Sequence, residues 1–447
     1  MARTINVAQL IDSQGIGAFQ LRAFALCAAV LFVDGFDVQS ITYVAPAISQ
    51  EWGLTRGALG PTFSAGLFGV MLGALLLAPL ADRIGRRRVI VCSCLAFGVG
   101  TLLTVWAGSL TELLVIRFLT GLGLGSALPN AIGLASEYAP RRRRATVVTF
   151  VGSGISLGAI GAGIAAAQLI STAGWRAVFV VGAVLPLLLA AGLAWALPES
   201  LRFAAVQPRK RDEAKKLLGK LDPKLAAETD LRIESGDSEG GKAAVADLFK
   251  EQRGPTTVLL WIAFFMSLLN VYFAINWLPT SLTASGFTVT QAAGMTSLYH
   301  VGGVVGTYAL GLLMDKLGAH RMQIFAMLVA VASLFVFATA TGMAQAATTM
   351  ILMLAGFGVV GGQVGVNALA SMAYPVAIRS TGLGWALGVG RVGSIVGPTV
   401  GGIALANAAD ARSVYLFCIV PTVIGIVAVA LLKRRAQPVA APTAQAA

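Results

Sequence analysis

Apolar runs long enough to cross a bilayer recur about a dozen times along this chain, and no other feature restricts its fold so strongly. At about 1.5 Å per residue, roughly 20 residues of helix cross a hydrocarbon core of about 30 Å. Spans are expected near residues 21–44, 58–80, 89–107, 112–134, 145–170 and 176–197, then 256–279, 289–313, 321–341, 348–372, 381–406 and 412–432. The expected fold class is therefore an all-α polytopic membrane protein with 12 transmembrane helices. Composition agrees: 57% of residues are hydrophobic, only 12% are charged, and the mean hydropathy is +0.80, far above a soluble domain. The polar start, Met1–Gln20, runs straight into a full-length span, so no cleavable signal peptide is expected.

A net charge of +13 would suit a nucleic-acid binder, but its distribution does not. With an inside N-terminus, 28 of the 33 Lys/Arg fall on inner loops and tails and three (Arg56, Arg176, Arg412) on outer ones. That asymmetry places both termini in the cytoplasm. The runs Arg86-Arg87-Arg88 and Arg141–Arg144 are topology signals first and contacts for anionic lipid second. The expected surroundings are a lipid bilayer, with no nucleic-acid partner. Cys27, Cys92, Cys94 and Cys418 all fall in spans without metal or disulfide spacing, so they read as packing residues. No Walker loop, zinc spacing or nucleophile elbow occurs in a suitable context. Neither an enzyme nor a cofactor-bearing protein is expected.

The remaining two cations, Arg117 and Arg391, lie within the membrane. So do Asp34 and Asp37, three residues apart on one face of the first span. An intramembrane acid costs on the order of 3 kcal/mol on insertion scales, which makes such a pair a candidate for ion or substrate coupling. Helix rise puts Arg117 roughly 8 Å and Asp37 about 10 Å below the outer surface. Matching depth makes Arg117 the natural partner of Asp37, either as a switchable contact or as a permanent structural pair. Which of the two aspartates carries a proton is open at this point.

Hydropathy breaks once, at residues 198–255, a charged stretch with Pro198, Pro208, Pro223 and the run Ser235–Gly241. It divides the chain into six-helix bundles at 1–197 and 256–435, joined by a cytoplasmic linker, with an Ala/Pro-rich disordered tail at 436–447. Arg211–Leu221 in the linker can form a short surface helix. The halves share a D-[RK]-x-G loop: Asp82-Arg83-Ile84-Gly85, followed by Arg86-Arg87-Arg88, and Asp315-Lys316-Leu317-Gly318. The glycine suits a tight turn, and the charges can bond between helix ends to hold the cytoplasmic side shut in one state. Two copies at matching positions point to duplicated, pseudo-symmetric halves. Glu137, just before Arg141–Arg144, belongs with these gate charges.

Here the chain resembles the major facilitator superfamily. The signature loop is matched at Asp82, Arg83, Gly85, Arg86 and Arg87, although Ala78 stands where that family usually has glycine. Arg117-Phe-Leu-Thr-Gly121-Leu-Gly123-Leu-Gly125 and Pro198-Glu199-Ser200 extend the resemblance over essentially the whole chain. Asp34-Gly35-Phe36-Asp37, Gly121–Asn130, Ser136–Pro140, Asn276-Trp277-Leu278-Pro279-Thr280 and Gly388-Val-Gly390-Arg391 are similar to the aromatic acid:proton symporters. That resemblance implies inner-membrane uptake of benzoate-type carboxylates, such as 4-hydroxybenzoate or protocatechuate, with protons. Two halves rocking around a central site would give alternating access, with the protein acting as a monomer. It also implies functional roles for Asp34, Asp37, Asp82, Arg117, Asp315, His320, Arg379 and Arg391. The pattern G-P-x-x-G-G at Gly397–Gly402, which antiporters carry in their fifth span, lies here in the eleventh and reads as helix packing.

Arg391 has no acid in its own span. Its planar fork suits a carboxylate, so it is a candidate substrate clamp, with a structural pair or a gate as the other readings. Tyr272 with Asn276, and Gln363 with Asn367, are each one turn apart. They could bind an aromatic ring and its hydroxyls, or bond between helices. Trp277 reads as an interfacial anchor, and His320 as part of the gate with Lys316 and Arg379; His300 could relay a proton or pack. Two other functions stay open: proton-driven export of drugs or aromatic compounds, and substrate sensing through a partner bound to the linker.

Overall fold

The computed structural model describes residues 3–13, 15–55, 57–207, 211–221, 231–234, 244–340, 342–407 and 411–435. Among them the chain is helical apart from one short parallel strand pair, Arg3–Asn6 with Leu231–Glu234. The first long helix, α1 (Ala18–Glu51), has 34 residues, about 51 Å by helical rise. Eleven further segments are long and apolar enough to cross a membrane. In the first half these are α2 (Gly60–Ile84), α3 (Arg86–Trp106), α4 (Leu110–Tyr138), α5 (Arg141–Ala173) and α6 (Trp175–Ala196). In the second they are α7 (Gly254–Ala284), α8 (Val289–Leu317), α9 (Ala319–Thr339), α10 (Gln345–Ala373), α11 (Ile378–Asn407) and α12 (Ser413–Leu432). Each of the twelve overlaps one span expected from the apolar runs.

Two compact units result: residues 1–239 with 278–297, and residues 240–277 with 298–447. Hydrophobic patterning contributes little to helix pairing in lipid, where outer faces are as apolar as inner ones. Small residues decide instead, because they let backbones approach. In the first unit a Cβ at Gly35 would strike the Ile155 carbonyl, and one at Gly158 the Phe32 carbonyl, so α1 and α5 lie backbone to backbone. Gly121 and Gly125 meet the carbonyls of Gly66 and Val70 in the same way, joining α4 to α2. The second unit repeats both seams. Gly393 and Gly397 of α11 abut the carbonyls of Phe265 and Leu269 on α7, and Gly302 and Gly356 join α8 to α10. The first seam pairs the first and fifth helix of each half, and the second pairs the second and fourth. Duplication is thus visible in packing as well as in the loop motif.

This arrangement makes a contrast testable. Gly158→Val should overpack the α1–α5 seam and cost about 1–3 kcal/mol, seen as a lower melting temperature in detergent. Gly192→Val, where a Cβ meets nothing within 4 Å, should melt like the wild type. Equal shifts for the two variants would mean that the seam does not govern stability.

Three local features differ from, or go beyond, the expectations. Trp277 is not an interfacial anchor: it is 1% exposed, and its indole N–H donates to Pro398 O at 2.9 Å. Gly401, about one turn on from Pro398, leaves room for the ring, so α11 offers a slot that α7 fills. Next, α10 is broken: helix runs over Gln345–Val359 and again over Gln363–Ala373. Gly361 N reaches back to Gly356 O at 3.2 Å, and Gln363 N then bonds Val360 O at 3.2 Å, so the register widens and tightens within one turn. Finally, helix forms at Arg211–Leu221 as expected, and its Leu217 and Leu218 join the hydrophobic core of the first unit. Ser235–Gly241 and the tail 436–447 lie outside the described residues. All four cysteines are free thiols.

Candidate functional site

The intramembrane charges meet as their depths suggested. Asp37 is fully buried and Arg117 is 4% exposed, and Arg117 Nη1 lies 3.4 Å from Asp37 Oδ2. Neither group leans on the other alone. The Thr101 hydroxyl bonds Asp37 Oδ1, with Phe97 O at 2.8 Å as the competing acceptor for its single proton. Arg117 Nη2 donates to Thr104 Oγ1 at 2.7 Å, and the guanidinium sits 5.1 Å from the centre of the Phe179 ring. Thr101, Thr104 and Phe179 were not anticipated. The signal available for the first two was a hydroxyl pair at i and i+3 near the end of an apolar span, at the depth of Arg117.

The division of partners has a chemical consequence. A long contact of 3.4 Å is the weakest bond in the cluster, and it is the one a proton on Oδ2 would remove. Arg117 would keep Thr104 and the Phe179 face, so its charge stays partly solvated in both protonation states. Asp34 lies on the same helix and is 8% exposed. Gly35 between the two aspartates lets α1 press against the α5 backbone, which fixes the face the acids present.

In the second unit, Arg391 is half-buried, and its guanidinium makes no ion pair or hydrogen bond among the described residues. The other candidate pocket residues are not brought into one constellation. Asn276 donates to its own helix at Tyr272 O, 2.7 Å away. Gln363 accepts the Ser267 hydroxyl at 2.6 Å, which is a bond from α7 to α10, while Asn367 is exposed.

Both D-[RK]-x-G glycines adopt the left-handed backbone that the turn requires: Gly85 has φ 99° and Gly318 φ 91°. Beyond Gly85 a charge network forms, but not around the aspartates. Arg86 pairs with Glu137 at 2.9 Å, and the Ser200 hydroxyl donates to the same carboxylate at 2.5 Å. Glu199 accepts from the Arg87 N–H at 3.1 Å, which caps the start of α3 with a negative charge where the helix dipole favours one. The Tyr138 hydroxyl donates to Glu199 O at 2.6 Å. A Cβ on Gly85 would strike the Glu199 carboxylate. Pro198-Glu199-Ser200 carries the family resemblance in the sequence, but no local signal marks Glu199 as the cap of α3 or Ser200 as a partner of Glu137. The Asp82 and Asp315 carboxylates are exposed and make no ion pair or hydrogen bond among the described residues. Arg83 contributes its carbonyl to Gln207 at 3.4 Å, and Arg379 donates to Tyr374 O at 3.3 Å. Lys316 is exposed and His320 half-buried at the start of α9.

Glu137→Gln should therefore disturb this end of the molecule more than Asp82→Asn does. A charge-assisted bond is worth roughly 1.5–3 kcal/mol, enough to shift a two-state equilibrium ten-fold or more. Lower maximal transport with substrate affinity kept within about two-fold is the expected result. Normal transport by Glu137→Gln would leave the network with a purely structural part.

The profile of the Major Facilitator Superfamily matches residues 27–387. The chain belongs to that superfamily. Among this transporter's relatives is a 4-hydroxybenzoate transporter, PcaK, of Pseudomonas putida, 38% identical over 434 residues, covering 96% of each chain. A gallate transporter of the same species is 37% identical over 402 residues, covering 90% of this chain and 89% of its own. In three dimensions it resembles the xylose transporter XylE from E. coli, in a partially occluded inward-open conformation. The TM-score is 0.72 at 16% identity, over 94% of this chain and 98% of that one. At that identity the likeness supports the major facilitator fold and nothing finer.

Proposed function

We propose that this transporter takes up aromatic carboxylates, such as hydroxybenzoates or protocatechuate, together with protons, by alternating access across a bacterial inner membrane. The observation that carries the proton coupling is the buried Asp37–Arg117 contact, backed by neutral partners on both sides. A pair meant only for stability gains little from a 3.4 Å contact, whereas a switch needs one that protonation can break. The substrate class rests on the names of relatives that match over most of the chain. Arg391 of the second unit, its guanidinium without a partner among the described residues, supports it, since such a cation suits a carboxylate. We take residues 1–197 and 256–435 as the rocking bodies, 198–255 as their cytoplasmic connection, and the monomer as the working unit.

Right-side-out vesicles with an inward proton gradient test this directly. They should accumulate labelled 4-hydroxybenzoate, with competition by hydroxybenzoates and protocatechuate and little by aliphatic dicarboxylates. Loss of preloaded substrate under the same gradient would indicate an exporter. Competition by dicarboxylates alone would remove the aromatic assignment.

A further inference from the structure

Three buried amide atoms in the second unit have no hydrogen-bond partner among the described residues: Asn270 Oδ1, Gln323 Oε1 and Gln363 Nε2. Asn270 is 4% exposed and Gln323 1%. Both line a cavity of ≈ 20 Å³ formed by α7, α9, α10 and α12, to which Ser267, Met327, Gly362 and Thr422 also contribute. Gln363 belongs to the same cluster through its 2.6 Å bond from Ser267.

The orientation of Asn270 follows from its neighbour. The Thr422 hydroxyl gives its single proton to Cys418 O at 2.7 Å. It can only accept from Asn270, so the amide nitrogen must face it, at 2.7 Å. Oδ1 is then left without a donor among the described residues, a costly state for a buried amide oxygen. The cavity also abuts the break in α10, where Gly362 follows the widened turn. Interrupted helices are tolerated at membrane depth only where some group satisfies the freed backbone and its neighbours.

We propose that this cavity is a binding site for one ordered water molecule, held by Asn270 and Gln323, which fixes the broken tenth helix against α7 and α9. The stoichiometry of donors decides the ligand. Water donates twice, matching the two orphan oxygens of the lining residues. A monovalent cation would also satisfy the oxygens, but no carboxylate lines the site to offset its charge. The free space exceeds the roughly 10–15 Å³ that a water needs and is too small for an aromatic ring. The inference rests on these orphan atoms and not on the proposed function.

X-ray radiolytic footprinting of the full-length protein in nanodiscs tests it, because hydroxyl radicals made from a bound water oxidise methionines beside it. Met327 lines the cavity and is 6% exposed; Met295 of α8, 2% exposed, is not among the lining residues. Met327 should be modified several-fold faster than Met295 in the wild type. The double variant Asn270→Leu, Gln323→Leu should abolish the difference. Equal rates in the wild type would overturn the proposal without recourse to any variant, and so would an undiminished difference in the folded double variant. Melting in sodium, potassium and choline salts should coincide, and a stabilisation specific to sodium would replace the water with a cation.

Discussion

Asp37→Asn should abolish gradient-driven accumulation of an aromatic acid while substrate-for-substrate exchange continues. The amide resembles the protonated acid in size and charge, so the binding-competent form persists, but it has no proton to release. Arg117 then lacks its counter-ion permanently. Removing one member of a buried pair costs on the order of 3–5 kcal/mol where nothing else meets the charge. Here Thr104 and the Phe179 ring remain beside the guanidinium, so the folded yield should fall by less than that figure implies. Accumulation and exchange measured on the same proteoliposome preparation separate coupling from folding. Accumulation at the wild-type level would remove Asp37 from the coupling mechanism, and the same result for Asp34→Asn would remove the pair.

The second large effect is expected at Arg391. Its guanidinium has no partner among the described residues, and a charge-assisted bond to a carboxylate is worth roughly 1.5–3 kcal/mol. Arg391→Gln should weaken binding of 4-hydroxybenzoate by about ten- to a hundred-fold. Arg391→Lys keeps the charge without the two-point fork and should fall between. Binding of the corresponding amide should change little in either variant. Equal losses for acid and amide would move Arg391 from substrate recognition to structure or gating.

Much of this architecture could be read from the chain, for physical reasons that differ from feature to feature. Span positions were legible because a bilayer imposes a minimum apolar length, and all twelve long segments fall on expected runs. The Asp37–Arg117 meeting was legible because each charge sits at a countable distance from a span end, and burying both apart would be costly. Glycine seams were recognisable as packing, though which helices they join required coordinates. Other features depended on tertiary context. Thr101 and Thr104 are common residues whose part appears only when α3 is laid beside α1 and α4. The charges around the D-[RK]-x-G loop followed the same rule: Arg86 found Glu137, and Glu199 found the start of α3, while Asp82 stayed exposed. Trp277 was misplaced because proximity to a span end favours an anchor, whereas the slot beside Pro398 buries it. The break in α10 has a local signal in Gly361-Gly362, but glycine pairs also occur in unbroken spans, as at Gly401-Gly402 of α11.

One measurement bears on the central claim more directly than any variant: simultaneous recording of proton and substrate flux in proteoliposomes of the wild-type protein. With a pH dye outside and no imposed gradient, adding 4-hydroxybenzoate should alkalinise the exterior as substrate enters, in fixed proportion to uptake. Asp37→Asn should carry exchange without any pH change. Wild-type uptake with no alkalinisation, or with acidification, would contradict proton symport through the Asp37–Arg117 pair.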